Sequence, residues 1–288
     1  MTSFSRRIGV SSAVLLAFAA LAGCEHGVLN PAGPVRHAER LILFNALAIM
    51  LAIAVPTIVC ILAFAWWYRA TNTRAAYSPR WAYSGRLELL VWSIPALVVL
   101  FLGGIAWTGS HELDPAKPLN SDVEPLEVEV VSLDWKWLFI YPEQHIASIN
   151  RLVTPVGRPV HFRLTSASVM NVFFIPQLGS EIYTMNGMVT QLNLAADRTG
   201  TFAGIAAHFN GDGFSDMTFD TEAVTANEFS RWVTSVQAQG PVLDEAAYRG
   251  LLTQTSNVPP HTYRDVTAGL FDHIASQHLP PGDGPQEK

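Results

Sequence analysis

The sequence predicts an α+β membrane protein: a two-helix transmembrane hairpin, then a β-sandwich or barrel, then short C-terminal helices. Three observations carry that prediction. The chain has 288 residues, of which 49% are hydrophobic and only 15% charged, and its mean hydropathy of +0.23 is high for a soluble enzyme. Its charge is split: residues 1–108 hold 8 Lys+Arg against 3 Asp+Glu, and residues 109–288 hold 10 against 21. The apolar pattern changes as well, from long runs before residue 109 to short alternating segments after residue 122. A basic apolar front and an acidic back call for two solvents, lipid and water. The acidic back makes nucleic acid a poor partner, and two cysteines exclude a disulfide-stapled scaffold.

The front divides into three. Arg6 and Arg7 precede an apolar run, 8–22, that is too short to span a bilayer and ends in Leu21-Ala22-Gly23-Cys24, as a secretory signal does. Leu-Ala-Gly-Cys resembles the bacterial lipobox, which implies a lipoprotein-type signal peptide at 1–23 and lipid on Cys24. Each buried acyl CH2 would contribute about 0.8 kcal/mol of anchoring. Residues 24–40 then form an N-terminal segment outside the membrane. Residues 41–68 are almost unbroken apolar sequence, interrupted by Asn45, Pro56 and Thr57, and residues 89–108 are a second such run. At about 1.5 Å per residue both are long enough to span, so 41–108 is expected to be the hairpin. Its loop, about 69–87, carries Arg69, Arg74, Arg80 and Arg86 and no acid, which makes the loop cytoplasmic and puts both flanking parts in the periplasm. Trp66, Trp67, Tyr68 and Trp107 fall at the interfaces, and Pro56 and Pro95 are kinks that a neighbouring helix can cover.

The back, 109–224, reads as strands. Leu126, Val128 and Val130 alternate with Glu127 and Glu129, and Val160, Phe162 and Leu164 alternate with His161 and Arg163. Further short runs at 135–141, 172–175, 190–194, 201–206 and 217–223 are separated by Pro, Gly, Asn and Asp. In the last region, 225–288, Thr225-Ala226-Asn227-Glu228 has capping-box spacing and opens a helix that ends before Gly240-Pro241. A second short helix is expected over 244–252, and a loop-like tail whose last ten residues are expected to be disordered. No nucleophile elbow, zinc-protease helix, phosphate loop or C-x-x-C is present, and the nine histidines are scattered, each fitting a surface or core role better than a ligand role.

Several motifs together resemble subunit II of the haem-copper respiratory oxidases: Tyr77-Ser78-Pro79; Glu88-x-x-x-Trp92-x-x-Pro95; Asp134-Trp135-Lys136-Trp137 with Tyr141-Pro142; and Ser168 through Pro176. The resemblance implies that the sandwich is cupredoxin-like. In the branch fed by cytochrome c, that domain holds a dinuclear copper centre on bridging thiolates and imidazoles. Laid on this sequence, the family pattern places Asn171 at the first His, Ala206 and Asn210 at the two Cys, His208 at the Glu, Phe214 at the second His, and Met217 at the Met. Only Met217 is retained, and no Cys follows Cys60. The resemblance is therefore to the o-type ubiquinol oxidases, whose subunit II has lost its copper ligands; Met185-Asn186-Gly187-Met188 and the loop 210–215 fit that branch.

In that branch the partner catalytic subunit I carries the haems and copper, takes electrons from ubiquinol, reduces O2 to water and pumps protons, alongside further small membrane subunits. This chain would hold no cofactor beyond the lipid on Cys24 and no catalytic residue. Glu88 is the only acid within or at the edge of either span, where an ionisable group is costly; in the family a Glu at this position sits at a proton-channel entrance, and the plainer reading is an interfacial carboxylate. Trp135 and Trp137 are expected to pack in the sandwich core or against subunit I. Two alternatives stay open: a cytochrome c oxidase subunit with an unusual copper site, and a free-standing lipoprotein acting as a binding module.

Overall fold

The computed structural model describes residues 27–282 and residue 284; the signal peptide expected at 1–23 and the lipidation expected at Cys24 lie outside the described residues. Helix α1 spans Pro34–Trp67 and helix α2 spans Gly85–Glu112. At 34 and 28 residues they run about 51 Å and 42 Å, each longer than the ~30 Å apolar core of a bilayer. Helix α1 begins ahead of the apolar run because Pro34 occupies its first position, where the missing N–H is no loss. Pro56 and Pro95 both lie inside their helices. Within the unit formed by residues 39–114, a Cβ built on Gly109 would lie 2.8 Å from Ile42 Cδ1; glycine leaves that side chain room between the two helices.

The β-domain is a sandwich of two sheets. The strands are β1 Leu126–Leu133, β2 Lys136–Tyr141, β3 Ile146–Ile149, β4 Arg151–Pro155, β5 Val160–Ser166, β6 Asn171–Phe174, β7 Ile182–Thr184, β8 Thr190–Leu194, β9 Gly200–Ala206, β10 Thr218–Val224, β11 Val242–Leu243, β12 His261–Tyr263 and β13 Asp265–Val266. The larger sheet has the order β12-β3-β2-β1-β5-β8, and the second β4-β10-β9-β6-β7. Strand β1 runs antiparallel to β2, with Glu129 opposite Ile140, and parallel to β5, with Leu126 opposite Val160. Leu126, Val128 and Val130 point into the core, as their alternation predicts. Aromatic rings fill the centre of that core: Phe173 stacks on Phe219 at 5.1 Å, and Trp137 meets both edge-on at 5.3 and 5.7 Å. Gly204 is required there, since a Cβ would fall 2.1 Å from the Phe219 ring.

Three features depart from expectation. The first is Trp135, expected in a strand. It has φ 67° and sits in the turn between β1 and β2. Second, β3, β4 and β7 lack a strand signature. β3 and β4 flank the single residue Asn150, at φ 53°, whose side chain accepts from Trp137 N at 2.8 Å and donates to Val258 O at 2.9 Å. Third, the region after residue 224 does more than form helices and a tail. Helix α3 (Ala226–Ala238) carries the expected capping box, with Glu228 accepting from Thr225 N at 2.9 Å, and helix α4 (Glu245–Leu251) is capped by Asp244. Beyond them, β12 adds to the edge of the larger sheet, β11 pairs with β13, and helix α5 (Leu270–Ala275) follows. Tyr248, Tyr263, Phe271 and Ile274 bury the outer face of that sheet against Val131, Leu133, Leu138 and Ile140. Packing continues into the end expected to be disordered, as far as residue 282: Leu279 is buried and Gly282 N donates to Ala167 O at 2.9 Å; residue 283 and residues 285–288 lie outside the described residues. Strands of two or three residues are too short to display a period, which is why the sequence reads as loop.

The start of the described chain also belongs to the sandwich. Ala32 N donates to Gln177 O and Asp197 N to Ala32 O, both at 2.8 Å. Gly33 lies so close that a Cβ would sit 2.2 Å from Ala195 O. Val35 and Arg36 are buried in the first turn of α1, the Arg36 guanidinium 5.5 Å from the Phe174 ring.

Candidate functional site

The positions singled out by the copper pattern lie on β6, at the end of β9 and in the loop between β9 and β10. Asn171, which opens β6, is fully buried; its amide donates to Val169 O at 3.2 Å and to Ser132 Oγ at 3.3 Å. Its oxygen accepts from Asn210 Nδ2. The same Asn210 nitrogen lies 3.1 Å from Met217 Sδ. Three of the six positions, Asn171, Asn210 and Met217, therefore meet in one buried polar knot, joined by Ser132, whose hydroxyl lies 2.8 Å from Thr184 Oγ1. Ala206 is adjacent only through its backbone, its N–H donating to Met217 O at 3.0 Å. His208 is half-buried, with its ring 6.0 Å from that of Tyr183, and Phe214 is edge-on to Phe209 at 5.6 Å.

The donor chemistry of this knot does not fit a dinuclear copper centre. Such a centre needs thiolate and imidazole ligands; the converging groups are two primary amides, a thioether and hydroxyls, and the amide hydrogens already point inward at oxygen and sulfur. Among the described residues no group of three or more His, Cys, Asp or Glu side chains converges anywhere. Amide–amide and amide–thioether contacts tie β6 to the loop before β10 and give the Asn171 amide and the Asn210 nitrogen their partners, while Asn210 Oδ1 is buried without one.

The two tryptophans play different parts. Trp137 is fully buried at the aromatic centre of the sandwich. Trp135 is half-buried beside the knot: its Nε1 donates to Asn210 O at 3.2 Å, and the loop lies so flat on the indole that a Cβ on Gly213 would fall 2.3 Å from it. Glu88 lies in the first turn of α2, exposed, its N–H bonded to Ser84 O at 3.0 Å.

Two charged groups escaped the sequence reading. Lys136, inside the Asp-Trp-Lys-Trp motif, is only 2% exposed; its Nζ donates to Thr253 O at 2.8 Å and Thr255 Oγ1 at 2.7 Å. Burial lowers its ammonium to about 8, against the pull of Asp134. Glu129 is pushed up to about 7 by burial, although Arg163 opposes this. Arg163 bonds Glu129 at 2.7 Å and Asp272 of α5 at 2.9 Å, and its guanidinium lies 4.9 Å from the Phe271 ring. Period-two alternation marks Glu129 as solvent-facing, and only the returning C-terminal segment covers it.

Residues 122–224 match the family described as cytochrome c oxidase subunit II, periplasmic domain, and residues 237–282 match the COX aromatic rich motif. The chain is 47% identical over 263 residues to the cytochrome bo(3) ubiquinol oxidase subunit 2 of Pseudomonas aeruginosa, covering 91% of this chain and 80% of that one. It is 46% identical over 272 residues to the ubiquinol oxidase subunit 2 of Acetobacter aceti, covering 94% and 87%. Among solved structures, the periplasmic domain of cytochrome oxidase subunit II from Bradyrhizobium japonicum aligns with a TM-score of 0.38 at 23% identity, over 41% of this chain and 94% of that one. With the hairpin, the sandwich and the aromatic C-terminal segment in one order along nearly the whole length, the chain belongs to the ubiquinol oxidase subunit 2 family of the cytochrome oxidase subunit II fold.

Proposed function

We propose that this chain is the non-redox subunit II of a proton-pumping terminal oxidase of the bacterial inner membrane, one that oxidises ubiquinol and reduces O2 to water. The observation that carries the reading is the Asn171–Asn210–Met217 knot, which fills the place of an electron-accepting copper pair with hydrogen-bonded amides. Electrons then have no entry through the outer domain, and they enter instead through haems and copper in catalytic subunit I. The chain's own contribution is to fold a rigid outer cap and a membrane hairpin against subunit I and smaller membrane subunits. The test is to purify the complex through a tag on this chain and supply ubiquinol or reduced cytochrome c. Oxygen uptake with quinol and none with cytochrome c is expected; the reverse sinks the reading in favour of a copper-bearing subunit, and purification without haem favours a free-standing lipoprotein.

Two finer roles follow from sequence position. Glu88, the acid in the first turn of α2, is the entry point for protons drawn toward subunit I. Glu88→Ala should slow quinol oxidation and proton pumping in proteoliposomes while leaving haem content intact; unchanged rates sink this role. Cys24 carries the lipid anchor, with 1–23 removed and the outer domain in the periplasm. Metabolic labelling with radioactive palmitate should mark the chain and fail to mark Cys24→Ser.

A further inference from the structure

The loop between α1 and α2 is the most one-sided positive charge on the chain. Residues 68–87 carry four arginines and no acid. Arg69 is committed to the chain itself: it donates to Trp66 O at 2.7 Å, satisfying a carbonyl in the last turn of α1, and to Thr71 Oγ1 at 3.1 Å, with its guanidinium 4.8 Å from the Trp66 ring. Arg74, Arg80 and Arg86 are exposed and have no carboxylate partner among the described residues. Amphipathic rings are interleaved with them: Tyr77 is 89% exposed, Trp81 64% and Tyr83 69%.

Orienting the hairpin needs only positive charge on the cytoplasmic side. The rings add something that orientation does not require. Trp and Tyr settle at headgroup depth, so they hold neighbouring guanidinium groups at the level of the lipid phosphates, where Arg bonds phosphate with a two-pronged fork. Basic clusters directly beside a membrane span attract anionic headgroups. From this charge complementarity we infer that Arg74, Arg80 and Arg86 form a binding surface for the headgroup phosphates of anionic phospholipid. The inference rests on the reading of this loop as cytoplasmic and membrane-adjacent.

The test uses the intact oxidase in nanodiscs of phosphatidylcholine with a minor fraction of phosphatidylglycerol. Lipids retained on the complex after delipidation are counted by native mass spectrometry, and haem content certifies assembly. The wild type should retain phosphatidylglycerol selectively. Arg74→Gln, Arg80→Gln and Arg86→Gln together should abolish the selectivity, each alone weakening it about fivefold; the single variants stand in if the triple does not assemble. Lysine at the three positions should keep most of it. Equal retention of both lipids by the wild type, or unchanged selectivity in the glutamine variants, overturns the proposal, as does displacement of the lipid by millimolar inorganic phosphate. Labelling Ala76→Cys with a membrane-impermeant maleimide keeps the two readings apart. Reaction in inverted vesicles but not spheroplasts supports the cytoplasmic loop whatever the lipid count; the reverse overturns the topology.

Discussion

The hairpin and the sandwich are both rich in apolar residues, yet they use them in opposite ways. Along the apolar windows of α1 and α2 no side chain is buried by the chain; Val99 and Leu100 are 71% and 70% exposed. In the sandwich, Trp137, Phe139 and Phe173 are wholly inaccessible. A helix satisfies its own backbone in lipid, so the hairpin needs an apolar surrounding and nothing more specific. A sheet in water must find its own partner for each apolar face, so the sandwich needs shape. Apolar content therefore marks environment in one region and packing in the other.

Mutations can break that contrast, beginning with the largest effect. Phe173→Ala removes the ring shared by Trp137, Phe139, Phe162 and Phe219 and should cost about 3–5 kcal/mol of outer-domain stability, read by urea unfolding of the solubilised chain through near-UV dichroism. Val99→Ala, the paired control in the hairpin, should leave that transition unmoved; a shift of similar size would mean the regions are not independent. Next, Asn210→Ala strands the buried Asn171 oxygen and should cost about 1–3 kcal/mol. Thr225→Ala removes one half of the capping box of α3, for about 1 kcal/mol in the same assay.

The subtlest effect is a slope with pH. Glu129 is held above its ordinary carboxylate value, at about 7, chiefly by burial; Arg163 opposes this, and Asp272 and Glu127 reinforce it. Its protonated form is favoured in the folded state, so its contribution is fully present below about 4.5 and is lost as pH rises through about 7. Glu129→Gln should flatten the fall in stability across that window. An unchanged profile would mean that the C-terminal segment does not seal Glu129 from water.

Legibility in the sequence followed from period. Runs longer than a bilayer, the alternation at 126–130 and 160–164, and the capping box each leave a local signature, and each appears where expected. β3, β4, β12 and α5 do not, because three to six residues carry too few turns of any period to stand out. The site was half legible. The resemblance drew attention to Asn171, Asn210 and Met217 one by one, but nothing in the sequence says that Asn171 and Asn210, 39 residues apart, share a hydrogen bond. Likewise Lys136 and Glu129 look like surface charges until Thr253 is brought onto Lys136 and Asp272 onto Arg163, the partner of Glu129.

The sequence by itself determined the solvents and the inventory: two spans for lipid, an acidic β-domain for water, and an outer domain with no thiolate. These are sums and periods along one chain, which no folding can change. Only the tertiary structure decided that the C-terminal segment is a third layer over the sandwich, that burial shifts Glu129 and Lys136, and that Asn171, Asn210 and Met217 close into an amide knot. Those depend on which residues distant in sequence meet, and burial and hydrogen bonding are properties of that meeting.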